Sequence, residues 1–244
     1  MKPFISLVLI FIVASSCRKE HTSVPQLIES PPKQTIPPPP LPTPPQQLKF
    51  KNVVILGNSI TFSPPNTSIG WNGSWGMAAS VIDSDYVHRL TVKFRKLVPD
   101  CKVMIRNIGE FEVDYVHYDF DAKLKDLRDS IPDLLILRIG EDVGPDNYDM
   151  SVFKPRYEAL VNYFLSGNNK LYVLGVGPLW NSYMVESVMQ YTPYVSLSHV
   201  DDDKLNSSFG LFANYGIQVH PSDRGMKAIS DSIWMGVSRL KSAN

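Results

Sequence analysis

Ser59 stands in Gly57-Asn58-Ser59-Ile60-Thr61, directly behind the short apolar run Val53 to Leu56. A serine on a tight turn at the end of a strand projects its hydroxyl from the sheet edge. Serine is a weak nucleophile near neutral pH and needs a base within hydrogen-bond reach. His220, in Val219-His220-Pro221-Ser222-Asp223, lies just before a closing helical pattern that can return it to that edge. A hydroxyl and an imidazole so placed are the parts of acyl transfer: the serine attacks a carbonyl carbon, and the imidazole takes and returns its proton. The other histidines, His21, His88, His117 and His199, carry no comparable pattern, and no His, Cys or Asp spacing resembles a metal site.

The elements that must position this pair follow from the alternation of patterns. Strands are predicted at 53–56, 102–108, 134–139 and 171–176, with a short fifth at 194–197. Helices are predicted at 85–98, 118–130, 152–165 and 222–240. Near-continuous apolar strands alternating with helices imply a parallel sheet covered on both faces. Ligands of such sheets bind beyond the carboxyl ends of the strands, where Gly57, Gly109, Gly140 and Gly177 recur. No Gly-x-Gly-x-x-Gly fingerprint follows the first strand and no Gly-Lys-Ser/Thr phosphate loop is present, which argues against a nucleotide- or flavin-binding reading and for chemistry without a cofactor.

With those residues in view, the chain resembles the SGNH/GDSL hydrolases. Gly57-Asn58-Ser59-Ile60-Thr61 is similar to their first block, Asn107-Ile108-Gly109 to the second, Gly140-Glu141-Asp142 to the third and Val219-His220-Pro221 to the last, in the family's order. The resemblance implies an α/β fold, a three-layer α/β/α sandwich with a mostly parallel, flavodoxin-like sheet. It implies ester hydrolysis with Ser59 as nucleophile, His220 as base, and an oxyanion hole at Ser59, Gly109 and Asp142. Three departures stand out. Asn58 replaces an Asp, and Asp142 replaces an oxyanion-donating Asn. Ile217 occupies the position, three residues before the His, where the family has an Asp behind the imidazole. Asp223 is near in sequence, but capping the last helix serves it equally well. An ionised Asp142 has no proton to donate and opposes a developing oxyanion.

Between Phe62 and Ser80 lies an insertion-like loop with Trp71 and Trp75 among glycines. Tryptophan faces suit the apolar faces of sugar rings, although the same side chains can pin a loop. Trp71, Trp75 and Glu141 are therefore candidate substrate-binding residues. The expected reaction is hydrolysis of O-acyl esters, O-acetyl groups on carbohydrate in particular. The competing reading is a catalytically weak surface protein of the same fold that binds glycan through the cleft.

The N-terminus suggests where this happens. Lys2, an apolar run from Phe4 to Val13 and small residues before Cys17 form a secretory signal resembling a bacterial lipobox. The expectation is a signal peptide over 1–16, lipid on Cys17, a Pro-rich spacer over 17–47 and a hydrolase domain over 48–244, anchored to the cell envelope. Lipoprotein members from Bacteroidetes-like bacteria offer the same combination. With Cys17 lipidated, Cys101 has no disulfide partner. The 24 basic and 24 acidic residues balance without a basic stripe, which argues against a nucleic-acid partner. A small-molecule or glycan ester is the expected partner.

Overall fold

A computed structural model describes residues 49–240, apart from Asn147, Asn181 and the side chain of Ser182. The expected signal peptide, Cys17 and the whole of the spacer lie outside the described residues. Within them the chain runs β1 (Asn52–Gly57), α1 (Tyr86–Leu97), β2 (Lys102–Asn107), α2 (Gly109–Val113), α3 (Phe120–Asp129), β3 (Leu134–Arg138) and α4 (Met150–Leu165). It continues with β4 (Tyr172–Val176), α5 (Ser182–Met189), β5 (Tyr194–Val195), α6 (Ser198–Asp201), α7 (Tyr215–Gln218) and α8 (Asp223–Arg239). The five strands form one parallel sheet in the order β2-β1-β3-β4-β5.

Strand side chains alternate between faces, and both faces are covered, so the strands read as unbroken apolar runs. Val54, Leu56, Leu135 and Leu137 pack against Phe111, Leu124, Phe153, Leu160 and Phe164 on one side. Val53, Ile55, Leu134 and Ile136 pack against Leu90 and Phe94 of α1 and Met226, Ile229 and Ile233 of α8 on the other. The outcome is a three-layer α/β/α sandwich. Helix starts follow local chemistry: the side chains of Asp85, Asp119, Asp149 and Ser222 accept first-turn amides of α1, α3, α4 and α8. Among the described residues no helix is long and apolar enough to cross a membrane.

Register fixes the site. Gly57 pairs with Asn107 on one side and Arg138 on the other, so the loops carrying Ser59, Gly109 and Asp142 leave the sheet at one level. A Cβ at Gly57 would lie 1.9 Å from Thr61 Oγ1 and 2.6 Å from the Arg138 carbonyl, which glycine alone accommodates. The expected strands and main helices appear, with β5 shorter than expected. The short helices α2, α5, α6 and α7 were not legible, because segments of four to eight residues hold too few turns to display a period.

Candidate active site

Ser59 is fixed from both sides. The Asn58 carbonyl accepts the amides of Thr61 (2.9 Å) and Phe62 (3.1 Å), closing the turn, and the Ser59 carbonyl accepts Met77 N–H at 2.9 Å. Its hydroxyl lies 2.7 Å from His220 Nε2. His220 Nδ1 lies 2.7 Å from the Gly216 carbonyl oxygen. A carbonyl can only accept, so the proton sits on Nδ1, and Nε2 keeps its lone pair toward the serine hydroxyl. The imidazole is buried. Burial pulls its pKa down to about 4, helped by the Arg138 charge and opposed by hydrogen bonding to the backbone at Gly216 and Ile217. A neutral base therefore faces the nucleophile throughout the neutral range.

The residues near His220 in sequence have other duties. Ile217 is 1% exposed and packs with Trp71, Met77 and Ala78. Asp223 accepts Ser80 N–H at 2.8 Å and the Ser80 hydroxyl at 2.5 Å, joining the 62–80 loop to the start of α8. The cap of that helix is Ser222, so Asp223 neither caps α8 nor stands behind His220.

On the oxyanion side, the Ser59 amide has no partner among the described residues. The Gly109 amide donates to Asn107 Oδ1 at 2.8 Å, so it serves an oxyanion only as a shared donor or after Asn107 turns away. Asp142, the expected third member, has its Oδ2 3.4 Å from where a Cβ on Gly109 would sit. The Asp142 amide is taken by Glu112 Oε2 at 2.8 Å, as is that of Gly140 at 2.7 Å, which leaves Asp142 only its carboxyl to offer. That carboxyl is held above the usual range, first by desolvation and then by the charge of Glu141, with Arg138 opposing. The shift favours the protonated form, which can donate.

Beneath Ser59 lies a closed polar knot. Arg138, fully buried, ion-pairs with Glu141 Oε1 through Nη2 and donates to Asn58 Oδ1 at 3.0 Å. Asn58 Nδ2 donates to Glu141 Oε2 at 2.8 Å, and Leu179 N–H to Glu141 Oε1 at 2.9 Å. This corrects the expectation for Glu141: its carboxylate is spent inside the protein and does not face a substrate. It also explains Asn58. An amide can donate to Glu141, whereas a carboxylate there would put two negative charges around one buried guanidinium.

Trp71 is likewise corrected. It is 3% exposed, its indole N–H donates to the Ser63 carbonyl at 3.2 Å, and its ring packs edge-on against Trp75 and Phe212. It pins the loop and offers no face to a sugar. Trp75 is half-buried, with its N–H donated to the Ala79 carbonyl at 2.8 Å. The aromatic ring beside the base is Trp180, whose centroid lies 6.4 Å from that of His220 at 80°. Sequence reasoning passed over Trp180. Its place three residues beyond Gly177, at the end of the fourth strand, was the available signal.

No protein-family model matches the chain, and no curated protein sequence matches it. Its similarity is to solved structures. A protein from Parabacteroides merdae described as a GDSL-like lipase shares 17% identity over 81% of this chain and 100% of its own, with a TM-score of 0.55. One from Bacteroides uniformis, also described as a GDSL-like lipase, shares 15% identity over 78% of this chain and 96% of its own, with a TM-score of 0.52. A two-domain esterase active on acetylated mannans shares 20% identity over 79% of this chain, which spans about half (51%) of its length, with a TM-score of 0.48. What the chain shares with the two lipase-like proteins is the fold.

Proposed function

We propose that this protein is a serine ester hydrolase. The observation that carries the reading is the 2.7 Å contact between Ser59 Oγ and His220 Nε2, with the tautomer set by Gly216. Ser59 Oγ bonds to the acyl carbon as its proton passes to Nε2, and the carbonyl electron pair moves onto oxygen. The tetrahedral intermediate collapses, and the leaving alkoxide takes the proton from Nε2. Water then attacks the acyl-serine with the same base, releasing the acid and restoring Ser59. The Ser59 amide and, shared with Asn107, the Gly109 amide are the proposed oxyanion donors, and the Asp142 carboxyl adds a third only in its protonated form.

The proposed substrates are O-acyl esters, acetyl included, on a carbohydrate alcohol. The alcohol oxygen must lie on the His220 side, where Trp180 packs edge-on to the imidazole. Wild-type protein is expected to hydrolyse p-nitrophenyl acetate and acetylated sugars and to be labelled at Ser59 by a fluorophosphonate. Ser59→Ala should do neither. Labelling at a different serine overturns the assignment. The glycan-binding alternative draws on the missing carboxylate behind His220; it becomes the better account if sugar binds without turnover. We further propose attachment to the cell envelope through Cys17, on the strength of the apolar run before it. Cys17→Ser should move the protein from the membrane to the soluble fraction.

A further inference from the structure

Glu112 is a fully buried acid on α2, the five-residue helix that opens with Gly109. Its Oε2 accepts the N–H of Gly140 at 2.7 Å and that of Asp142 at 2.8 Å. Two amides from alternate residues thus converge on one oxygen, in the concave backbone arrangement that receives anionic oxygen. The turn that aims them needs a φ of +124° at Gly140, where a side chain would be strained. The residue between them, Glu141, sends its own side chain to the knot with Arg138 and Asn58. We propose that Glu112 is a positioning residue of the active site: it ties the loop of residue 142 to the helix of Gly109 and so sets where the side chain at 142 meets the oxyanion.

The role rests on the ester-hydrolase reading, in which a donor helps only within about 2.7–3.1 Å of the oxygen that becomes charged. The two expected donors beyond Ser59, Gly109 and residue 142, come from separate segments of the chain, and neither segment alone sets their spacing. Glu112 closes that gap. It stands three residues after Gly109, within one turn of the same helix, and grips the backbone on both sides of Glu141. With the loop so held, Asp142 Oδ2 lies 3.4 Å from the Cβ position of Gly109. An acid buried near two others is costly unless it is partnered. Burial, with Glu141 and Asp142 adding to it, pushes the Glu112 carboxyl well above the usual range, against the pull of the two amides. The shift favours the neutral acid, whose carbonyl oxygen still accepts both N–H groups. The clamp therefore needs an acceptor oxygen in place more than it needs a charge, and glutamine offers the same oxygen at the same reach.

The test compares two backgrounds at pH 8: the parent protein, where an ionised Asp142 donates nothing, and the Asp142→Asn protein, where residue 142 donates at every pH. Turnover of p-nitrophenyl acetate is expressed per serine titrated to completion with a fluorophosphonate, so that unfolded protein is not counted. Adding Glu112→Ala to Asp142→Asn should lower kcat by about tenfold or more with little change in KM, as when a transition-state donor is displaced. Adding Glu112→Gln should lower it by less than about threefold, because the acceptor oxygen is kept. Glu112→Asp, a methylene too short to hold both amides, should match Glu112→Ala and stands in for it if that variant does not fold. In the parent protein Glu112→Ala should change kcat by less than about threefold, a non-additivity that a merely structural side chain would not produce. Equal effects in the two backgrounds, or a Glu112→Gln loss as large as that of Glu112→Ala, overturn the proposal. If Ser59 is labelled and esters turn over while the effects are equal, the positioning role alone is wrong. If Ser59 is unlabelled and no ester is cleaved, the hydrolase reading falls and the role falls with it.

Discussion

His220 Nδ1 meets the carbonyl oxygen of Gly216, four residues earlier in the chain, at 2.7 Å. The contact fixes ring orientation and tautomer as a carboxylate would, but it brings a dipole in place of a full charge. The imidazolium formed when Ser59 loses its proton therefore has no carboxylate hydrogen-bonded to it among the described residues, and the base is weaker than one backed by an aspartate. The same short span, α7 and the turn after it, also delivers Ile217 to the loop beneath the site.

The first prediction is the acid limb of the pH–rate profile. With the His220 pKa lowered to about 4, kcat/KM should hold as pH drops through 6 and 5 and decline only near pH 4. The same depression makes stability fall with pH. Above about 6.5, the ordinary histidine value, the group is neutral in both folded and unfolded chains. Between there and about 4 the unfolded chain takes up the proton first, and stability is lost progressively. An acid limb centred near 6.5 would contradict the buried, neutral imidazole.

Asp142 gives the second. Its carboxyl is pushed above the usual range by desolvation and by Glu141, so it donates to an oxyanion only while protonated. Activity should thus decline as pH rises through that raised pKa, and Asp142→Asn should abolish the decline. At pH 8 the variant should raise kcat by about tenfold or more with little change in KM, as for a donor gained in the transition state. A fall in kcat would show that the carboxylate has a positive role.

Ile217→Asp, the change that restores the expected carboxylate, should do harm. The side chain is buried with Trp71, Met77 and Ala78, while the imidazole Nδ1 is already taken by the Gly216 carbonyl. An unpaired carboxylate there should cost about 2–4 kcal/mol of stability, measured by urea unfolding, without raising kcat. A more active variant would mean that the ring can exchange Gly216 for residue 217.

Asn58→Asp is the fourth. The new carboxylate loses the bond to Glu141 Oε2 and adds a second negative charge around Arg138, for an expected loss of about 1–3 kcal/mol. Adding Glu141→Gln should recover most of the loss, because the pair then regains one donor and one charge. Additive losses in the double variant would dissociate the two side chains.

The strands and long helices were legible because apolar periodicity and capping residues are local. Val53 to Leu56 is apolar on both faces, and Asp85 stands where the pattern of α1 begins, whereas the cap of α8 fell on Ser222, one residue before the Asp223 that the sequence offered. Ser59 and His220 were legible because each stands at an element boundary within a recognisable pattern. What lies behind the imidazole was not, since a backbone carbonyl belongs to every residue and only the path of the chain selects Gly216. Nor were the fates of Trp71 and Glu141. An indole among glycines and an acid at a strand end look the same in sequence whether they face a ligand or another part of the chain. Burial decides between the two, and burial depends on contacts such as Trp71 with Ile217, 146 residues apart by their numbers, that exist only once the sheet and its loops have closed.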